Sequence, residues 1–368
     1  QERQQIPGKS FFLMGLTVLT ALGVLGFRFL PQHQLAINSI PIRSELKLPN
    51  ESCLLQRPQF MRQLNTLFTN KTGITIVAIL GMGGTGKTTL ARLWARQYAQ
   101  THPSAHVFEI NAETSATIAS SLNDLAAALA QTPNQKESLY FINQIKKSEE
   151  KEKQRLSFIQ ARLKASKNWL LVYDNVETIK NILRCLPQNS QVWGQGRVLI
   201  TTRNSHIKCT DIIKLDNVLT MDALSDQETL TLFTRIRFQQ EPLQLLKKVR
   251  EATGCFLKHI PPFPLDVSVA ARYLSNQQLT YAAYLIELER QNKKFYNTQE
   301  VFLQETSEYS KTRYSIIALS LKHIIETDKN FTDCLVLMSL INAEHIPQDL
   351  LKQQQSQSIV DRFLYELK

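Results

Sequence analysis

The chain lacks the features that would place it among disulfide-stapled or metal-clipped domains. Its five cysteines, at 53, 185, 209, 255 and 334, show neither C-x-x-C spacing nor even pairing. A reduced compartment and buried apolar roles are expected for them, not a disulfide framework or a zinc site. Only His102 and His106 have the i, i+4 spacing of a zinc pair. Pro103 between them breaks the helix that would align them, so a surface loop is the expected setting. No internal repeat of roughly 20 to 50 residues is visible, which leaves no sign of a solenoid or propeller. A basic groove interleaved with aromatic residues is missing too. The 43 Lys and Arg outnumber the 32 Asp and Glu to give a net charge of +11, but they are dispersed. The densest run, KKSEEKEKQR at 146–155, mixes both signs, as the solvated face of a helix does. Nucleic acid is therefore disfavoured as a partner, and a positive patch facing an anionic membrane accounts for the charge more simply.

Glycine is scarce at 12 residues, yet four of them fall at Gly81, Gly83, Gly84 and Gly86. The run Gly81-Met82-Gly83-Gly84-Thr85-Gly86-Lys87-Thr88 satisfies G-x-x-x-x-G-K-[ST] in the context that the motif requires. ITIVAIL at 74–80 precedes it as a buried strand, and Thr89 opens a stretch with helical spacing. Such a loop bends around phosphate oxygens and turns its N–H groups inward, at the positive end of the following helix. Lys87 is expected to reach the β- and γ-phosphates, and the Thr88 hydroxyl to ligate Mg²⁺. A glycine-rich turn matching by chance is the alternative.

A Mg²⁺ site needs a carboxylate beside the phosphates. NWLLVYD at 168–174 is an apolar strand ending in Asp174, as a central parallel strand delivering a metal ligand would be. Capping a turn is the plainer role for the same residue. A further strand, GRVLITTRN at 196–204, ends in hydroxyls and Arg203. Ligands of open α/β sheets bind outside the carboxyl ends of the strands, so Arg203 is expected near the γ-phosphate, with a surface arginine as the alternative. Lys87, Asp174 and Arg203 form the expected catalytic set, and 81–89, Met82 and Thr89 included, the expected nucleotide cradle.

Taken in order, GMGGTGKTT, VFEINAET at 107–114, LLVYDNVE at 170–177 and GRVLITTRN resemble the NB-ARC branch of the STAND P-loop ATPases, in their bacterial type. LDNVLTMDALSDQETLTLF at 215–233 is similar to that family's segment leading into a helical lid, and PPFPLDVSVAARYL at 261–274 to its G-L-P-L-A segment. The resemblance implies that Pro264 packs near the adenine and ribose. LLQRPQFMRQL at 54–64 resembles the V-G-R-E-x-E-L segment that borders the base, with Arg57 kept but Gln56 and Pro58 in place of its glycine and acid. The family's second acid after the metal-binding Asp is Asn175 here. An amide cannot act as the general base for water, and Glu177 could replace it only if the strand end bends. Slow hydrolysis is therefore expected.

Toward the N-terminus, residues 11–27 carry no charge, and 11–30 make 20 residues, about 30 Å of helix and enough to span a bilayer. A cleaved signal and a buried core helix are the alternatives. Charges flanking the segment do not fix its orientation. The need for nucleotide places the domain beyond it on the cytoplasmic side. Residues 31–49, with prolines at 31, 41 and 49, are expected to form a tether.

After Arg203 the spacing turns helical, with apolar periodicity over 226–235, 243–253, 265–274 and 281–293. YSIIALSL at 314–321 and INAEHIP at 341–347 together resemble the start of the family's winged-helix domain, two more lid helices being the alternative. Lys368 falls inside that domain, and Gln1 is not a methionine, so a longer parent protein is expected.

The fold class expected is α/β: a three-layer P-loop NTPase with a parallel sheet over 50–215, an all-α lid over 216–295, a partial winged-helix domain over 296–368, and a transmembrane helix over 11–30. The function implied by the resemblance is a membrane-anchored ADP/ATP switch that assembles into a homo-oligomer when activated. A structural ADP-binding scaffold and a conventional P-loop ATPase are the alternatives.

Overall fold

Strands β1 (Ile74–Leu80), β2 (His106–Asn111), β3 (Trp169–Val176), β4 (Gly196–Thr202) and β5 (Val218–Thr220) form one sheet in the order β2-β3-β4-β1-β5. All its pairings are parallel. The computed structural model describes residues 40–50, 54–69, 72–166, 168–209, 212–299, 308–341 and 346–367. The expected membrane-spanning segment at 11–30 lies outside the described residues. Among those described, no helix is long and apolar enough to cross a membrane.

Parallel strands covered on both faces read as continuous apolar runs, because alternate residues fill opposite layers. In one layer, Ile76, Ala78, Trp169, Leu171, Tyr173, Val198 and Ile200 join one core. Val77, Ile79, Leu170, Val172 and Leu199 join the other. Helices α1 (Pro58–Phe68) and α2 (Lys87–Thr101) cover the second layer through Phe60, Leu64, Leu90 and Trp94. Helices α3 (Ser115–Leu129), α4 (Pro133–Gln144) and α5 (Ser148–Ala165) cover the first through Leu125, Leu139, Ile159 and Leu163. The mixed charge run at 146–155 opens α5 on its solvent side. Short helices α6 (Ile179–Ile182) and α7 (Ser190–Trp193) lie between β3 and β4.

Part of the expected tether is packed. Val107 of β2 donates its N–H to Ile42 O at 2.9 Å, and Ser44 N donates to Val107 O at 3.0 Å, an isolated parallel bridge that buries Ile42 and Leu46. Arg43 donates to the Ala99, His102 and Pro103 carbonyls in and just past the last turn of α2, where a cation is favoured by the helix dipole. His106 is thus not in a loop: it starts β2, buried, and its Nδ1 accepts from Ile42 N at 3.0 Å. Of the cysteines, Cys185 and Cys334 are buried as expected but Cys255 is exposed.

The C-terminal half is helical: α8 (Asp226–Phe238), α9 (Lys247–Leu257), α10 (Pro264–Gln277), α11 (Tyr281–Gln299), α12 (Glu308–Thr327), α13 (Asn330–Leu340), α14 (Gln348–Lys352) and α15 (Gln357–Glu366). Helix α9 starts four residues later than the periodicity predicts. Pro242–Gln244 forms a separate 3₁₀ turn, closed by reciprocal capping between Glu241 and Gln244, and Leu243 and Leu246 stay exposed. Helix α12 serves two cores. Its Ile316 and Leu319 pack with Phe233, Val267 and Tyr284 of the lid, while Ile324 packs with Phe331, Val360 and Phe363 of the last helices.

Candidate functional site

Hydrogen-bonded parallel strands bring their carboxyl ends to one edge, and there the sheet order places β1, β4 and β3 side by side. The loop after β1 turns on left-handed residues that favour glycine, Gly84 (φ 79°) and Gly86 (φ 92°), before α2 begins at Lys87. Gly81 is needed for close approach, because a Cβ there would meet Met221 O at 2.8 Å; one on Gly83 would come into ordinary contact with the Arg203 guanidinium at 3.4 Å. Thr85 is buried and closes the turn by donating Oγ1 to Met82 O at 3.0 Å.

Lys87 is 7% exposed and donates Nζ to the Gly81 and Met82 carbonyls at 2.9 and 2.8 Å. Burial above all, then the nearby Arg203, pulls its pKa down to about 8; Asp174 opposes the shift and Arg313 adds to it. A phosphate beside the ammonium would hold the proton, so the bound pKa lies above the free one. A nucleotide bound there would then take up a proton once the free site begins to lose its own. The affinity should stay nearly level near neutrality and weaken above pH 8, approaching about tenfold per pH unit. Titration calorimetry across that range checks this; an affinity unchanged up to about pH 9.5 would contradict it.

Asp174 is buried at the end of β3. Its carboxylate accepts from Thr88 Oγ1 at 2.8 and 3.1 Å and from Thr201 Oγ1 at 2.5 Å. A hydroxyl and a carboxylate oxygen in direct contact at a phosphate loop are hard donors that fit Mg²⁺, which takes one or two protein ligands and completes its shell with phosphate oxygens and water. Among the described residues no cluster of three or more His, Cys, Asp or Glu could hold a metal by itself. The fit is to a metal that arrives with a nucleotide.

β3 does bend at its end. The pairing with β4 shifts register between Tyr173 and Val176, and Asn175 takes a left-handed φ of 60°, its N–H held by Thr201 Oγ1 at 2.9 Å. The bend brings Asn175, not Glu177, to the cavity wall. Glu177 is exposed, and its carbonyl accepts from Asn204 Nδ2 at 2.9 Å.

The cavity over the phosphate loop has a volume of about 440 Å³. Gly84, Thr85, Gly86, Lys87, Thr88, Thr89 and Arg203 line one end; Pro264, the first residue of α10, lines the lid side, near Leu54, Leu232 and Ile236. The lid touches the loop directly: Leu265 N donates to Gly84 O at 3.3 Å. Arg57 also lines the cavity, but its polar atoms are engaged elsewhere. Its Nε pairs with Glu228 of α8 at 3.1 Å, and both terminal nitrogens donate to the Asp222 and Ala223 carbonyls. It ties the segment before α1 to the lid. The structure therefore brings Lys87, Thr88, Asp174, Arg203 and Pro264 to one end of the sheet and ties Arg57 to Glu228.

Two further residues here have no site role assigned from the sequence. Asp266 on α10 is 1% exposed and accepts from Arg313 of α12 in a bidentate pair, with Nη2 to Oδ2 at 2.7 Å and Nε to both oxygens at 3.0 Å. Burial pushes the Asp266 carboxyl up, and Arg313 pulls it back down. Arg313 Nη1 also donates to Gly83 O at 2.7 Å. The charge at Asp266, buried beside the proline motif, was the available signal. Its partner lies 47 positions away on another helix.

Residues 57–242 match the NB-ARC domain family. The chain is 28% identical over 230 residues to the TMV resistance protein N of Nicotiana glutinosa, covering 60% of this chain and 18% of that protein. It is 20% identical over 355 residues to a nucleotide-binding leucine-rich repeat (NLR)-like protein of Hyaloscypha variabilis, covering 90% of this chain and 33% of that one. The chain thus spans only a fifth to a third of the length of these relatives. Among solved structures it is similar to a STAND protein with a tetratricopeptide repeat sensor from Pyrococcus horikoshii, with a TM-score of 0.44, 14% identity, and coverage of 87% of this chain and 40% of that one.

Proposed function

The chain belongs to the NB-ARC domain family, and from that premise we propose that it is a nucleotide-dependent switch which holds ADP in a closed state and opens on exchange for ATP·Mg²⁺. The observation that carries this reading is the placement of the cavity between two bodies. The sheet edge contributes Lys87, Thr88 and Arg203 to its wall, with Asp174 bonded to Thr88, while the lid closes over it through Pro264 and the Leu265 N–H on Gly84 O. A ligand seated there touches both, so its binding energy depends on how they are arranged.

Magnesium, brought with the nucleotide to Thr88 and Asp174, would neutralise phosphate charge. Lys87 would hold the β- and γ-phosphates as a point charge, and Arg203, packed against Gly83, would respond to a third phosphate. Water activation is the weak part of the site. Asn175 occupies the wall where a carboxylate would be useful, and Glu177 faces solvent. Hydrolysis should therefore be slower than about 1 s⁻¹, below the ordinary enzyme range. Binding of both ADP and ATP·Mg²⁺ by the purified full chain, with turnover below that limit, supports the switch; faster steady-state turnover would favour a conventional ATPase. Assembly into a homo-oligomer in the ATP state and anchoring through 11–30 complete the proposal.

A further inference from the structure

Arg313 lies outside the nucleotide cavity yet bonds to the loop that forms its floor. Three separate segments meet at its guanidinium: Asp266 of the lid helix α10, the Gly83 carbonyl of the phosphate loop, and α12, which carries the arginine itself. The Phe263 ring lies 5.0 Å from its charge centre and covers one face. Both carboxylate oxygens are used, Asp266 is fully buried, and the ion pair is a planar fork that fixes the direction of the remaining nitrogen. That nitrogen ends on Gly83 O.

A peptide group accepting a charge-assisted bond at its oxygen becomes a stronger donor at its N–H. The N–H at the other end of the Gly83 peptide is that of Gly84, which lines the cavity. The next carbonyl, Gly84 O, is bonded by Leu265 N from the lid. Two successive carbonyls of the phosphate loop are thus held, one by the lid helix α10 and one by α12 beyond the lid. Next to Arg313, Thr312 borders a cavity of about 910 Å³ lined also by residues of α8 and α9.

We propose that Arg313, oriented by Asp266, is a positioning residue that clamps the phosphate loop from behind, so that diphosphate binding in front and docking of α12 behind stabilise each other. The coupling is reciprocal by linkage: whatever α12 adds to the grip on ADP, ADP adds to the docking of α12. The proposal rests on the nucleotide-binding reading above and adds to it the route by which the site's occupancy reaches the C-terminal helices.

The test uses the full chain loaded with a fluorescent ADP analogue. Arg313→Gln should speed its release at least tenfold, and Arg313→Lys, which keeps one charged donor but not the fork, should fall between. The double variant Arg313→Gln/Asp266→Asn removes the buried charge as well as its partner, so it keeps the test open if the single variant folds poorly; it should release ADP as fast as Arg313→Gln. AMP affinity should change less than threefold in all three, because AMP lacks the phosphate that the loop encircles. A merely structural loss would weaken both nucleotides alike. Amide exchange supplies the reciprocal readout: ADP should protect 308–327 in the wild type and not in the double variant, while protection of α2 persists. ADP release unchanged in these variants, or ADP and AMP weakened equally, overturns the clamp. Failure of the wild-type chain to bind ADP at all overturns the reading beneath it.

Discussion

Lys87→Ala should weaken ADP binding at least about a hundredfold, or about 2.7 kcal/mol, without unfolding the chain. The ammonium is buried beside Arg203 and within electrostatic reach of Arg313, and in the structure it is held by two carbonyls of its own loop. A bound diphosphate would exchange those neutral acceptors for anionic oxygens, adding ionic attraction to bonds that already have a charged donor. Alanine removes that gain and leaves the phosphates facing the remaining cations alone. Folding should survive, because relief of the crowded positive charge offsets the loss of two hydrogen bonds to loop carbonyls. Calorimetric titration with ADP, beside melting curves of both proteins, checks the effect; an affinity within threefold of the wild type would mean that the backbone loop alone grips the phosphates.

Asn175→Asp should raise ATP turnover at least about tenfold while leaving ADP affinity within about threefold. Asn175 sits at the register shift of β3 in a left-handed conformation that aspartate also tolerates. Its backbone N–H is fixed by Thr201, so the side chain of the variant starts from the same place on the cavity wall. A carboxylate there introduces a proton acceptor where an amide has none, and a positioned general base contributes about 10² to 10⁴ in rate. Tenfold is a cautious expectation, since the new carboxylate also lies next to Asp174. Single-turnover hydrolysis at saturating ATP·Mg²⁺ reads the chemical step directly. A rate no faster than the wild type would show that water activation is not what limits this site.

Both predictions concern residues that were legible in the sequence, and the reason is local. The phosphate loop, the strand ending at Asp174 and the strand ending before Arg203 each carry their chemistry at the end of an apolar run, and a parallel sheet brings such ends together. What stayed hidden depends on partners distant in the chain. Ile42 and Ser44 dock on β2 through backbone bonds to Val107, which leave no side-chain pattern, and the prolines around them suggested a free tether. Leu243 and Leu246 had the right spacing for a helix but find no core to bury in. The bend at Asn175 depends on Thr201 of the neighbouring strand, and the direction of Arg57 on Glu228 of the lid. Asp266 falls within the 261–274 segment, but it and Arg313 each read as an ordinary charged residue on its own helix until packing buries one against the other. Helix α12 likewise reads as one periodic helix, and only packing shows that its two halves belong to different cores.

The central claim is that the identity of the bound nucleotide sets the arrangement of the lid and the helices after it. It is tested most directly by loading the full chain with ADP, adding millimolar ATP·Mg²⁺, and following bound nucleotide, particle mass and amide exchange over 308–327 on the same sample. The account predicts that ATP replaces ADP, that exchange over 308–327 accelerates, and that the particle mass rises to a multiple of the monomer. Replacement of ADP with neither exchange nor mass altered, or ADP that ATP never displaces, would contradict it.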